Sequence, residues 1–511
     1  MSLLSFDIGS SRCKGVLFTD RGEILAQGTQ AYVPDFPAPF FAEMDPEVFW
    51  SAVCVLSRKL AAQSCDDPVS AISLSSHGET FVPVRSNGDP LSPAILNIDN
   101  RATAEAECIA EQFGRTRIFR ATGQVVSSIY SLPKILWLLR HRPEMCSATD
   151  CYAALPTYLL LRMKLTPLID YSLASRYLAF DVHSCQWSSE LLSMAGLRAD
   201  VLPVPAPAGT IAGKLDRELA GFFGVPAGTC VVLGGHDQAC NALGTGTIDA
   251  GRTSDSMGTY ECILTSSSEL HLSDAAFAAG LNSAFHVVPG RFTTLAYFPA
   301  GIMLQWFHNL IYGEAAKPGS PSEEGDHFAE WEALTSSGPS GLSITPHLIG
   351  TCTPDFNADA RAAISGLFIG AGRGHIYKGI LEGIACELLK VAEAMTKAIG
   401  DLGDFYVVGG GSRSLIGLEL RASFTRRRFH LMHCKEAVCL GGAILAAVAL
   451  GVHRSIPEAV SQMVRERAVI EPNPQIAAEY CEQIQKYRAL YPALESARKT
   501  GATSSLRGEP Q

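Results

Sequence analysis

Near the midpoint of the 511-residue chain, Val231-Val232-Leu233-Gly234-Gly235-His236-Asp237-Gln238 sets an acid at the end of an apolar run. Cys230 to Leu233 read as a short buried strand, and two glycines end it. Asp237 then falls in the first turn of a helix, where exposed N–H groups and the helix dipole favour a carboxylate. Such an acid is expected to stay ionised and to accept a proton from a hydroxyl held beside it. Alone, the pattern is that of a capping aspartate. Its companions elsewhere in the chain turn the reading towards chemistry.

The first companion is Asp7-Ile8-Gly9-Ser10-Ser11-Arg12-Cys13-Lys14, an acid at a strand end followed by glycine, two hydroxyls and a lysine. Glycine lets backbone approach a ligand, hydroxyls and amides bond phosphate oxygens, and lysine adds a positive charge. Asp7 is placed to hold Mg²⁺, directly or through water. A plain hairpin turn has the same composition. Gly258-Thr259 faintly echoes this turn, and Gly409-Gly410-Gly411-Ser412-Arg413-Ser414 offers a surface without side chains on which a base or ribose can lie. The triple glycine as simple loop is the alternative. His77, Gly78, Asp99 and Arg101 fall at strand ends, where α/β domains place ligands. They suit a small polar molecule; a local Asp99/Arg101 salt bridge and a satisfied turn histidine are equally compatible.

The elements that must position these residues alternate in type. Residues 3 to 33 read as a three-stranded meander, and Asp45-Pro46-Glu47 opens an amphipathic helix running to about Ala62. Strands follow at Val69 to Ser75 and Phe81 to Val84. Residues 101 to 197 read as mostly helical, including Ser131 to Arg140 and Ala153 to Met163. After Thr247 the pattern restarts as strand, turn, strand. A helix is expected from His375 to Ile399, strands at Phe405 to Val408 and Phe429 to Met432, and helices over Glu436 to Leu450 and Pro474 to Arg498. Residues 314 to 340, rich in Gly, Pro, Ser and Glu, read as a surface excursion. Both halves open with a meander and a Gly-hydroxyl turn, which points to a duplicated domain with a nucleotide clasped between the copies. The expected division is 1–247 and 248–498.

Composition sets outer limits. The length exceeds what one core usually serves. A formal charge of −10 argues against nucleic acid or an anionic membrane as partner. The N-terminus runs directly into a strand pattern, so no secretory leader is expected, and apolar stretches are too short to span a bilayer. Fifteen scattered cysteines without a C-x-x-C read as reduced cytosolic thiols, with no structural zinc expected.

In this order, the motifs resemble those of the FGGY carbohydrate kinases of the actin/hexokinase/heat-shock ATPase superfamily, over about residues 3 to 450. The resemblance implies an α/β fold of two actin-like, ribonuclease H-like domains with a cleft between them. It makes Asp7-x-Gly9-Ser10-Ser11-x-x-Lys14 the first phosphate loop, Gly258-Thr259 the second, Gly409 to Ser414 the adenosine loop and Asp237 the catalytic base. Ser131 to Trp137 matches the family's Lys-x-x-Trp segment. His77-Gly78 and Asp99-x-Arg101 fall on sugar-contacting positions. Three departures stand out: Glu79-Thr80 is similar to glycerol kinases, Asn97 replaces a frequent Trp, and Gly417, Glu419 and Ser423 replace a common Trp, Gln and Asp.

The implied activity is transfer of the γ-phosphoryl group of ATP, with Mg²⁺, to a small sugar, D-xylulose first. Another ketose, a deoxy-sugar, gluconate or a polyol is the alternative acceptor. A nucleotide-dependent sugar sensor without transfer is the alternative class. The hinge is expected near Gly244 to Thr247, and a cytoplasmic homodimer is the family expectation.

Overall fold

The computed structural model describes residues 1–64, 67–313, 327–335 and 337–499. The first half builds a six-stranded sheet from β1 (Ser2–Ile8), β2 (Arg12–Thr19), β3 (Ile24–Ala31), β4 (Val69–Ser76), β5 (Ile211–Lys214) and β6 (Cys230–His236), in spatial order β5-β6-β4-β1-β2-β3. The meander strands pair antiparallel, whereas β4 and β6 extend the sheet parallel to β1. A central strand covered on both faces needs apolar residues at successive positions, which is why Leu3, Leu4, Phe6 and Ile8 are all fully buried. Leu4, Phe6 and Ile8 join Phe49 and Val53 of helix α1 (Pro46–Ala61) in one cluster; Leu3 points to the other face. Asp45 caps α1, its carboxylate accepting the Glu47 N–H at 3.0 Å.

The second half repeats the plan. Strands β7 (Thr253–Met257), β8 (Tyr260–Ser267), β9 (Asn282–Phe285), β10 (Phe292–Pro299), β11 (Phe405–Val408), β12 (Phe429–Met432) and β13 (Glu466–Ile470) form a seven-stranded sheet in the order β9-β10-β8-β7-β11-β12-β13. The run β10-β8-β7-β11-β12 matches β3-β2-β1-β4-β6, antiparallel neighbours first and parallel ones after. The Gly9-Ser10 and Gly258-Thr259 turns therefore close equivalent hairpins.

Helices α2 (Ser131–His141), α3 (Asp237–Gly244), α4 (Arg373–Ile399), α5 (Leu415–Thr425), α6 (Ala437–Ala449) and α7 (Cys481–Ala497) complete the frame. The halves interlock through α3 and α6. A Cβ added at Gly244 would lie 1.9 Å from the Ala437 carbonyl oxygen, and one at Gly441 would lie 2.1 Å from that of Cys240. Bare backbone is thus the condition for this crossing. Helix α6 belongs to the second half by sequence yet lies on the first sheet: a Cβ at Gly442 would meet Ser5 Oγ at 2.4 Å and Ser73 Oγ at 2.6 Å. Asn241 of α3 in turn donates to Ser254 Oγ of β7 at 2.8 Å.

Several expectations are corrected. Cys151–Ala154 is a strand because it pairs with Phe81–Val84 in a side sheet, so the helix begins only at Leu155. The C-terminal helix is broken at Tyr480, which is 3% exposed and donates to the Gly338 carbonyl at 2.9 Å, leaving Pro474–Glu479 and Cys481–Ala497 as separate helices. Of the 314–340 excursion, residues 314–326 and 336 lie outside the described residues; His327–Ala333 is helical and its Trp331 is buried. Among the described residues, no helix is long and apolar enough to cross a membrane.

Candidate active site

Three parallel strands of the first sheet end side by side, with Ile8 facing Ser76 and Ser76 facing His236. That register gathers Asp7, the His77-Gly78-Glu79 turn and Asp237 at one sheet edge. His77 is what ties the edge together. Its backbone N–H and Nδ1 both reach the Ile8 carbonyl, at 3.2 and 2.8 Å, and Nε2 lies 2.7 Å from Thr80 Oγ1. Burial lowers its pKa, and with both nitrogens engaged it fixes the turn.

Asp237 opens α3, accepts the Gln238 N–H at 2.6 Å and lies 3.2 Å from His236 Nε2. Its pKa is pushed up to about 8, first by burial, then by the Asp7 carboxylate; Gln238 and Arg176 oppose this and Glu79 adds to it. Sequence reasoning expected an ionised acid because it weighed only the helix terminus. The neighbouring carboxylates are supplied by tertiary structure, and they win. Asp7 is itself raised to about 6 by burial, lowered by Lys14 and raised by Glu436. A base must lose its proton to act, so the competent fraction of the cation-free protein rises with pH towards a plateau above about 8. A ¹³C NMR titration of the Asp237 carboxyl without added metal should show a midpoint near pH 8 that moves down in Asp7→Asn. A midpoint near 4 would refute the coupling.

Near Asp237 lies a buried polar cluster that sequence reasoning largely missed. Glu79 adopts φ +62° and its carboxylate takes Arg176 Nε at 2.5 Å as well as Nη2. Arg176 Nη1 donates to Gln124 Oε1 at 2.8 Å, and the guanidinium lies 5.0 Å from the centre of the Tyr130 ring. Gly78 is required here: a Cβ would stand 2.6 Å from Arg176 Cγ. The buried Lys134 braces the turn, donating to the carbonyls of Leu96 (2.7 Å) and Glu79 (3.2 Å), which explains the Lys-x-x-Trp segment. From the second half, Tyr297 feels the charges of Arg176 and Glu79, and Cys262 that of Asp237. A charged Arg176 inside the apolar run Leu173 to Leu178 was the signal available in the sequence.

Asp99 and Arg101 are committed elsewhere. Asp99 is fully buried, accepts the Ala42 N–H at 2.7 Å and receives Arg101 Nε and Nη2, while Arg101 also reaches Glu43 at 2.6 Å under the Phe41 ring. They are the local salt bridge that the sequence left open.

Each half carries its own glycine loops at strand ends. Gly9 closes the β1–β2 turn through an N–H bond to the Arg12 carbonyl at 2.9 Å, leaving Ser10 and Ser11 at the surface. Lys14 is not free: its ammonium lies 2.7 Å from Glu436 Oε2 at the start of α6. Gly258 and Thr259 are exposed at the tip of the β7–β8 hairpin. Gly409, at φ +99°, packs against it; a Cβ would sit 2.6 Å from the Met257 carbonyl oxygen. Gly410 borders open space and Gly411 lies over Met257. Ser414, by contrast, is 1% exposed, caps α5 through the Gly417 N–H at 3.0 Å and donates to Glu332 at 2.6 Å, so its hydroxyl serves the helix rather than a nucleotide. Of the substituted positions, Gly417 is buried beside Ser414 and Ser423 accepts the Asn473 N–H at 3.1 Å; Glu419 is exposed.

Comparison with known proteins agrees with this arrangement. The model of the FGGY family of carbohydrate kinases, N-terminal domain, matches residues 2–244, and that of its C-terminal domain matches residues 254–450. The chain is 26% identical over 509 residues to a xylulose kinase of Bacillus subtilis, covering 97% of this chain and 99% of that one. It is 26% identical over 506 residues to a gluconokinase of Bacillus licheniformis, covering 97% and 96%. In fold it is similar to the ligand-bound xylulose kinase from Lactobacillus acidophilus, with a TM-score of 0.87 at 22% identity over 98% of this chain and 99% of that one. Two matched domains that together span both sheets make this chain a member of the FGGY family of carbohydrate kinases.

Proposed function

We propose that this kinase transfers the γ-phosphoryl group of ATP to a hydroxyl of a small carbohydrate, with D-xylulose as the first acceptor to test. The reading rests above all on one observation: Asp237, at the end of strand β6, feels the charges of Asp7, of Glu79 and of Arg176 together. Phosphoryl transfer is chiefly positioning and charge neutralisation, so an acid in that place has a defined task. Asp237 holds the acceptor hydroxyl and takes its proton as the new O–P bond forms, since a free alcohol is too weak an acid to ionise beforehand. Gly9, Ser10, Gly258 and Thr259 offer amides and hydroxyls to phosphate oxygens, and Gly409 to Gly411 leave a bare surface for the adenosine.

Asp7 fits a divalent cation. It stands at the end of the central strand β1, and its pKa and that of Asp237 are both raised, which a dication would relieve. Bound there, Mg²⁺ would offset the charge of the phosphates. Lys14 can turn to phosphate only by leaving Glu436. Removing that competitor in Glu436→Gln is expected to lower the KM for ATP by about two- to five-fold, the modest worth of a part-exposed ion pair. A raised KM would instead make Glu436 part of the ATP site.

The deciding experiment is an acceptor panel of ketoses, deoxy-sugars, gluconate and polyols with coupled detection of ADP. Sugar-stimulated ADP release with one acceptor supports transfer. Sugar binding with no such release from any acceptor would favour a sensor.

A further inference from the structure

We infer that the acceptor site is a charge filter, in which the Glu79–Arg176 pair admits uncharged sugars and polyols and excludes aldonates. The inference rests on the proposed kinase reading and names the substrate class of that same site. Full-length identity does not decide the matter, because a xylulose kinase and a gluconokinase match this chain at the same 26%. The charges around the site do.

The charges acting on Asp237 are the carboxylates of Asp7 and Glu79 and the guanidinium of Arg176. Arg176 has little left to offer an anion. Nε and Nη2 go to Glu79, Nη1 goes to Gln124, and its side chain is 9% exposed. Lys134 is nearby but fully buried, with its ammonium directed to the carbonyls of Glu79 and Leu96. His77 and His236 are both held towards the neutral form by burial. A carboxylate entering this site would exchange water for Glu79 and for Asp237 in the ionised form in which it acts as base, with no uncommitted cation among the described residues to receive it. A hydroxyl differs because it can donate as well as accept, so it can bond to carboxylates. The site is thus built for donors.

The test uses matched acceptors that differ only in CH₂OH against COO⁻ at one end: xylitol with D-xylonate, and D-glucitol with D-gluconate. With ATP and coupled ADP detection, the wild-type kcat/KM should favour the neutral member of each pair by at least about 100-fold, since like-charge juxtaposition in a desolvated site is strongly unfavourable. Glu79→Gln frees Arg176 and should narrow that ratio at least about tenfold; Arg176→Met removes the guanidinium that offsets Glu79 and should widen it. Equal or better use of the aldonates by the wild type overturns the inference, as does a Glu79→Gln variant that weakens both members of a pair alike. The wild-type comparison stands even if a variant does not fold. If no acceptor is phosphorylated the kinase reading fails, and calorimetric binding of the same pairs then judges the filter separately: weaker binding of the aldonates upholds it, and equal binding refutes it.

Discussion

Asp237→Asn is expected to lower kcat for acceptor phosphorylation by roughly 10²- to 10⁴-fold, the span associated with loss of a positioned general base. Binding of ATP and of the acceptor should change by no more than about three-fold, because the amide keeps the volume of the carboxyl and can still accept the Gln238 N–H now bonded at 2.6 Å. Asp7 should titrate unchanged in the variant, because Asp237 is still protonated near pH 6, where Asp7 loses its proton. Steady-state kinetics together with calorimetric binding separate these effects. Turnover within tenfold of the wild type would remove Asp237 from the chemistry.

Arg421→Met is expected to destabilise the second half strongly. Arg421 donates to Glu261 in bidentate fashion, at 3.0 and 2.8 Å, and its remaining nitrogen reaches the Gly417 carbonyl at 3.1 Å. Both partners are almost wholly buried. Asp255, fully buried with neither carboxyl oxygen hydrogen-bonded, is pushed well up by burial and by Glu261, and Arg421 is what holds it down. Breaking such a pair from one side leaves uncompensated buried charge and costs about 3–5 kcal/mol, or a fall in Tm of roughly 10 °C for a domain of this size. Glu261 follows the Gly258-Thr259 turn and α5 follows the Gly409 to Gly411 loop, so the KM for ATP should rise as well. The double variant Glu261→Gln/Arg421→Met should recover part of the loss, since it leaves no unpaired ion from that bridge. A Tm shift below about 2 °C for Arg421→Met would show that the bridge contributes little.

Much of the fold was legible because the periodicities are strong. The meander of residues 3 to 33, the Asp45 cap, the strand before Asp237 and the long helix after His375 are each written in local patterns. Residues 151 to 163 show where that stops. Their apolar run suits strand or helix alike, and only pairing with Phe81–Val84 divides it at Leu155. The Gly9-Ser10 and Gly258-Thr259 echo was too short to establish a repeat by itself, whereas the strand order of the two sheets makes it plain. The site was legible where backbone conformation matters: Gly409 and Gly411 are needed because Met257 leaves no room for side chains. It was open where polar groups stand at strand ends, since a ligand contact and an internal bond suit the same residue types. His77, Asp99, Arg101 and Ser414 are all absorbed by hydrogen bonds within the protein.

The sequence alone determined the alternation of strands and helices, the positions of the bare turns and the place of an acid at a strand-to-helix junction, since each of these is a short-range property of neighbouring residues. Tertiary structure decided which charges meet. Arg176 reaches Glu79 across 97 positions and Lys14 reaches Glu436 across 422. The proton affinity of Asp237 is set by Asp7 and by burial, not by its own helix. Coulomb interactions and desolvation depend on distance through space, and no spacing along the chain encodes that distance.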